Sequence, residues 1–132
     1  MGVSEINNLL MSDDVIHTLN ALKALGVRIE KSNDKINIYG KGLNSLTKPV
    51  KSIYLGNSGT SARLLTGLLA SQTFDSVLEG DHSLSSRPMA RIMDPLKSMG
   101  AEFKNVSGTL PLKIIGKKLN KSKIQIEIPS AQ

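Results

Sequence analysis

The 132 residues carry 17 Lys and Arg against 11 Asp and Glu, a net charge of +6, and 39% of them are hydrophobic. That balance fits one globular domain with a hydrophobic core and is too apolar for a disordered chain. No cysteine is present, which excludes disulfides, thiolate nucleophiles and cysteine-ligated metals, and no apolar run approaches the roughly 20 residues needed to cross a bilayer.

The start, Met1-Gly2-Val3-Ser4-Glu5, lacks the charged, then apolar, then small-residue order of a secretory signal, so a cytoplasmic location is expected. A helix follows, opened by Asp13-Asp14, which complement its dipole, with Val15, Leu19 and Leu22 on its apolar face. His17 lies off that face and reads as a solvated helix histidine. Gly26 falls where a left-handed residue ends a helix. Val27 to Lys31 and Lys35 to Tyr39 then alternate as half-buried strands around an Asn33-Asp34 turn. Pro49 marks a boundary.

Ser52 to Leu55 reads as a short strand, Thr60 to Ala70 as a helix with Leu64, Leu65, Leu68 and Leu69 as its apolar stripe, and Asp75 to Leu78 as another strand. Pro88 to Met99 is a predicted helix whose Met89, Ile92, Met93, Leu96 and Met99 share one face; that stripe is core rather than a methionine-rich groove. An internal repeat now emerges. Leu96-Lys97-Ser98-Met99-Gly100-Ala101 resembles Leu22-Lys23-Ala24-Leu25-Gly26-Val27, and Ile114-Ile115-Gly116-Lys117 resembles Ile38-Tyr39-Gly40-Lys41. Both copies read helix, glycine stop, strand, turn, strand, with Ser107-Gly108 as the second turn. The expected fold is mixed α/β (α+β), divided into an αββ end of one unit at 1–49, a complete βαβαββ unit at 50–119, and the start of a third at 120–132, where Ile124 to Ile128 alternates as a strand.

The chemistry is expected at two strand-to-helix turns, Leu55-Gly56-Asn57-Ser58-Gly59-Thr60-Ser61-Ala62-Arg63 and Gly80-Asp81-His82-Ser83-Leu84-Ser85-Ser86-Arg87-Pro88. A helix N-terminus offers unpaired N–H groups and about half a positive charge, so it holds phosphate or carboxylate readily. Gly56 and Gly59 let a ligand approach the backbone, while Ser58, Thr60 and Ser61 either donate hydroxyls to it or simply cap the helix. No Gly-Lys-Ser/Thr closes the loop, so it is not a Walker A motif. With Pro88 at the first helical position, Arg87 stands at the cap, a cation opposing the dipole, which is a conflict that a bound anion relieves. Arg63 poses the same question in the first turn. In a right-handed βαβαβ arrangement both turns open at one end of the strands, so two dipoles and two guanidinium groups converge on one ligand.

Other readings are weaker. His82 is a lone histidine without a paired carboxylate, and no metal-ligand spacing is present. Lys117, Lys118, Lys121 and Lys123 cluster as a solvated loop, and two Phe, two Tyr and no Trp leave few platforms for stacking bases. Small phosphorylated ligands fit the charge better than nucleic acid.

The two turns, together with Asp94-Pro95-Leu96, Met99-Gly100-Ala101 and the terminal Ser130-Ala131-Gln132, resemble the 5-enolpyruvylshikimate-3-phosphate synthase family over essentially the whole chain. The resemblance implies part of the N-terminal domain of a two-domain enzyme built from six βαβαββ repeats, with its active site between the domains. It implies transfer of the enolpyruvyl group of phosphoenolpyruvate to the 5-hydroxyl of shikimate 3-phosphate through a tetrahedral intermediate, with release of phosphate. Phosphoenolpyruvate contacts then fall to Asn57, Gly59, Arg87 and Gln132, and shikimate 3-phosphate contacts to Thr60, Ser130 and Gln132, with Arg63 supporting the first loop. The family's early Lys-Ser segment and its acidic catalytic residues have no counterpart in these 132 residues. No catalytic residue, metal or cofactor is therefore assigned here, and the chain alone is expected to be inactive. The implied setting is a cytoplasmic monomer of the aromatic amino acid pathway, a target of the inhibitor glyphosate, with neither nucleic acid nor membrane as partner. Two alternatives stay open. One is the sister transferase acting on UDP-N-acetylglucosamine, which commonly carries a cysteine where His82 stands. The other is a non-catalytic basic module that binds RNA backbone.

Overall fold

The computed structural model describes residues 1–42, 44–104 and 107–125. A three-stranded sheet is formed by β1 (Gly2–Asn7), β2 (Arg28–Ser32) and β3 (Lys35–Gly40), in the order β1-β3-β2 and antiparallel throughout. The helix α1 (Asp13–Ala24) joins β1 to β2. A four-stranded sheet follows, ordered β4-β5-β7-β6, from β4 (Ile53–Tyr54), β5 (Ser76–Glu79), β6 (Glu102–Lys104) and β7 (Leu112–Ile115). Its helices are α2 (Gly59–Ala70), the single turn α3 (His82–Ser85) and α4 (Ala90–Ser98). β4 and β5 run parallel, so α2 is a crossover helix and the turns after both strands lie at the same sheet end.

The two glycine stops behave alike for one reason. Gly26 has φ +85° and Gly100 φ +92°. At each, the glycine N–H donates three residues back (Gly26 to Lys23 at 2.9 Å, Gly100 to Lys97 at 2.8 Å), and the next residue reaches the carbonyl five back (Val27 to Leu22 at 3.0 Å, Ala101 to Leu96 at 2.9 Å). This paired closure satisfies carbonyls that a helix end otherwise leaves open, and it needs a left-handed residue at the glycine. The repeat inferred from sequence is thus a repeat of helix termination followed by an antiparallel hairpin.

Three sequence expectations need correction. Residues 1–49 are βαββ rather than αββ, because β1 precedes the helix. Its pattern is hard to see since only Ile6 is half-buried, and it is held by the six-residue register on β3 and by a Lys35–Glu5 ion pair at 2.9 Å. The apolar stripe of α2 is Ala62, Leu65, Thr66 and Leu69, whereas Leu64 is 71% and Leu68 39% exposed. The helix turns that first face onto the four-stranded sheet and α4, and Leu64 instead borders an open groove of about 380 Å³ with Val15, Leu19 and Leu22 of α1. Finally, the predicted helix from Pro88 begins at Ala90, with α3 inserted before it. Of the expected strand Ile124 to Ile128, residues 126–128 lie outside the described residues, and 124–125 join no regular element.

The core is continuous. Leu25, Leu55, Leu69, Leu78, Leu84, Met89, Leu112 and Ile114 are all essentially inaccessible, and Ile92 and Met99 pack at the margin of the same cluster, so the α4 stripe is core as expected. Gly116, just beyond β7, passes so close to the 72–74 turn that an added Cβ would lie 2.2 Å from the Phe74 carbonyl oxygen and 2.7 Å from that of Gln72. Backbone cannot swing aside as a side chain does. Gly116→Ala is therefore expected to cost about 1–3 kcal/mol, read as a lower Tm in thermal denaturation; an unchanged Tm would show that the turn relaxes freely.

Candidate anion-binding site

The ladder between β4 and β5 does not stop at the strand ends. Leu55 N–H donates to Glu79 O at 2.9 Å and Asp81 N–H to Gly56 O at 2.8 Å, so the two turns are stitched side by side. Gly56 occupies φ +55° to make the first turn. Ser58 then caps α2, its hydroxyl oxygen accepting the Ser61 N–H at 3.2 Å, and Asp81 caps α3 by accepting the Leu84 N–H at 2.7 Å. Each cap uses the third N–H of its helix. The N–H groups of Gly59 and Thr60 find no partner among the described residues and open on the cleft, at the positive end of the α2 dipole.

The cleft has a volume of about 540 Å³ and is lined by Asp14, Asn57, Gly59, Thr60, Arg63, Leu64 and Arg87. Five of these were singled out from sequence: Asn57, Gly59, Thr60, Arg63 and Arg87 come together as expected. Arg87 Nη2 donates to Asn57 Oδ1 at 2.5 Å across 30 residues of sequence, which aims the guanidinium over the first turn. Arg63 Nη1 donates to Gly59 O at 3.2 Å, while its Nε is buried without a hydrogen-bond partner. A Cβ on residue 59 would stand 2.9 Å from Arg63 Nη1 and 3.0 Å from Arg87 Nη1, so glycine is what lets both cations approach the helix end. Two half-buried cations and a helix N-terminus facing one cleft favour an anion.

Arg87 is correctly placed but for a different reason from the one the sequence suggested. It is not the cap of α4, which is Met89; it follows α3, with its backbone N–H donating to Leu84 O at 3.1 Å. The cap conflict therefore dissolves, and the side chain is directed by Asn57 instead. His17 is likewise not a solvated histidine: it is half-buried, edge-on to Tyr54 at 5.7 Å and 77°, and packed against Gly56. Asp14 reaches the cleft as well as the start of α1. These α1 residues escaped sequence reasoning because their partners lie some 40 positions away. His82 is exposed at the start of α3, Ser130 and Gln132 lie outside the described residues, and no metal-binding group of three His, Cys, Asp or Glu occurs among those described. No helix among them is long and apolar enough to cross a membrane.

Fold and cleft define the class: a mixed α/β protein whose two arginines face one cleft at the ends of parallel strands. A family model for EPSP synthase (3-phosphoshikimate 1-carboxyvinyltransferase) matches residues 1–132. The 3-phosphoshikimate 1-carboxyvinyltransferase of Ruthia magnifica subsp. Calyptogena magnifica is 49% identical over 132 residues, covering 99% of this chain and 30% of that protein. That of Lactiplantibacillus plantarum is 44% identical over 131 residues, again 99% and 30%. The solved EPSP synthase from Acinetobacter baumannii superposes with a TM-score of 0.94 at 42% identity, covering 99% of this chain and 31% of that one. The chain belongs to the EPSP synthase family, and it spans about 30% of the length of these relatives.

Proposed function

We propose that this chain supplies the phosphoenolpyruvate side of an enolpyruvyl transferase that acts on the 5-hydroxyl of shikimate 3-phosphate and releases phosphate. The observation that carries the reading is the convergence of Arg87, Arg63, Asn57 and the free N–H groups of Gly59 and Thr60 on one open cleft. Phosphoenolpyruvate presents a phosphate and a carboxylate, and charge-assisted donors are the strong ones for both. Arg87 takes an anionic group with its planar fork, and the α2 amides take oxygens that the arginine leaves open. Arg63, whose Nε is a buried donor lacking a partner, adds positive potential behind Gly59. Thr60, exposed on the rim, is assigned to shikimate 3-phosphate with Ser130 and Gln132, and Gln132 also to phosphoenolpyruvate.

Binding is only half of the reaction. Addition and elimination need proton transfers, each worth about 10²- to 10⁴-fold, and the groups for them are assigned to the rest of the family's length, in a second domain closing over the cleft. The whole protein is proposed to act as a cytoplasmic monomer without nucleic acid or membrane. An NMR titration of the ¹⁵N-labelled chain tests the first half directly. Phosphoenolpyruvate is expected to shift the Gly59 and Thr60 amides and the Arg87 side chain, with inorganic phosphate competing. No shift there, with RNA binding that falls steeply with salt, would overturn the reading in favour of the basic RNA-binding alternative.

Gly59 offers a second test in the complete enzyme. Its Cβ position is bounded by the guanidinium ends of Arg63 and Arg87, at 2.9 and 3.0 Å, which must shift to admit a methyl group and so move the cations that line the cleft. Gly59→Ala is expected to raise the inhibition constant of the bulkier glyphosate more than the KM of phosphoenolpyruvate; equal losses would refute the steric argument.

A further inference from the structure

Behind the cleft, α1 touches the anion loop through a chain of hydroxyls that the proposed function does not use. Ser58 Oγ lies 2.6 Å from Ser61 Oγ, Ser61 Oγ 2.7 Å from Thr18 Oγ1, and Thr18 Oγ1 2.8 Å from the Asp14 carbonyl oxygen. Ser58 and Ser61 are 1% and 3% exposed, so each of their protons must find an acceptor within the protein.

That requirement sets the direction of every bond. The Ser58 oxygen already accepts the Ser61 N–H, and the acceptor within reach of its proton among the described residues is Ser61 Oγ. Ser61 then accepts from Ser58 and passes its own proton to Thr18 Oγ1, the nearer of its two remaining partners, the Asp14 carbonyl being 3.4 Å away. Thr18 accepts from Ser61 and donates to the Asp14 carbonyl, closing the chain on backbone. Each hydroxyl donates once and accepts once or more, with no spare proton. Turning the Ser58 hydroxyl would strand a buried donor, and turning Ser61 would exchange a 2.7 Å bond for one of 3.4 Å to the Asp14 carbonyl.

We infer that Thr18 is a positioning residue for the anion site. By accepting the Ser61 proton it holds the Ser61 hydroxyl away from the loop and leaves the Ser58 oxygen committed to the Ser61 N–H. The cap is thereby fixed on the third helical amide, and the first two, those of Gly59 and Thr60, stay aimed at the cleft. Without the Thr18 oxygen, the Ser61 proton is left with the more distant Asp14 carbonyl at 3.4 Å or with Ser58, so the Ser61 side chain is held less firmly and the cap it completes loosens. This role rests on the anion-site reading for its purpose, although not for its geometry.

Thr18→Val keeps the shape and removes the acceptor, while Thr18→Ser keeps the acceptor. Amide hydrogen exchange of the ligand-free chain reads the cap. In Thr18→Val the Ser61 amide is expected to exchange about 3- to 10-fold faster, with the Leu69 amide of the same helix unchanged, and Thr18→Ser should restore the native rate. Phosphoenolpyruvate affinity, measured by the same NMR titration, should fall by a similar factor and recover in the serine variant. Unchanged Ser61 exchange in Thr18→Val, a uniform rise along α2, or failure of serine to rescue would each overturn the inference. Native chain that ignores phosphoenolpyruvate while Ser61 responds as expected would sink the ligand assignment and leave the positioning role standing.

Discussion

Arg87→Ala is expected to weaken phosphoenolpyruvate binding by about 1.5–3 kcal/mol, roughly 10- to 150-fold, with little change in stability. The two halves of that expectation have separate origins. The Arg87 side chain makes its hydrogen bond with the exposed Asn57, not with the core, so its removal leaves no buried group unpaired. A substitution of that kind stays within about 0.5 kcal/mol of native stability. At the cleft, by contrast, the guanidinium is one of two cations facing a helix N-terminus, and an anion loses a charge-assisted, geometrically matched donor. Arg87→Lys should recover only part of the affinity, because an ammonium supplies the charge without the rigid planar fork that matches an anion's two oxygens. Titration at two salt concentrations separates the terms, since screening weakens the charge contribution and leaves hydrogen-bond geometry alone. Native affinity in the alanine variant would remove Arg87 from the site.

The largest structural effect is expected at Gly56. Its φ of +55° costs a residue with a Cβ about 1–2 kcal/mol, and the added Cβ would lie 2.3 Å from His17 Nε2 and within 2.9 Å of two further ring atoms. Displacing that ring, which is packed edge-on against Tyr54, adds an overpacking cost of about 1–3 kcal/mol. Gly56→Ala should therefore lose roughly 2–5 kcal/mol, a large share of the 5–15 kcal/mol typical of a domain, measured by urea denaturation. Because Gly56 O accepts the Asp81 N–H, the shift should also reach the second turn and disturb Arg87. The double variant Gly56→Ala/His17→Ala isolates the clash: it should regain the steric part and keep the backbone strain. If the double variant is no more stable than Gly56→Ala, the ring is not the obstacle.

Local pattern carried a good part of this molecule. The Met89-to-Met99 stripe faces the core, with Met89, Met93 and Leu96 buried and Ile92 and Met99 packed at its margin, because spacing of three and four residues lies on one helix face whatever surrounds it. The stops at Gly26 and Gly100 are legible because a helix ends within one turn of the residue that ends it. Elsewhere pattern misled for equally physical reasons. Leu64 and Leu65 are adjacent and equally apolar, yet which one faces the sheet depends on how α2 is rotated over β5 and β7. β1 has almost no buried face, so it lacks the alternation that marks a strand, and its pairing with β3 is a backbone matter. α3 is a single turn capped by Asp81, too short to show a period.

By itself the sequence determined the repeat, the two glycine- and serine-rich turns with an arginine apiece, and the family, because each is written in residues close together along the chain. Which groups meet was decided by the tertiary structure. Parallel pairing of β4 with β5 lays one turn against the other, so Asn57 reaches Arg87, and the packing of α1 against α2 and β4 brings Thr18 to Ser61 and His17 to Gly56. Hydrogen bonds act over about 3 Å, and only the folded chain brings groups 30 or 43 positions apart within that range.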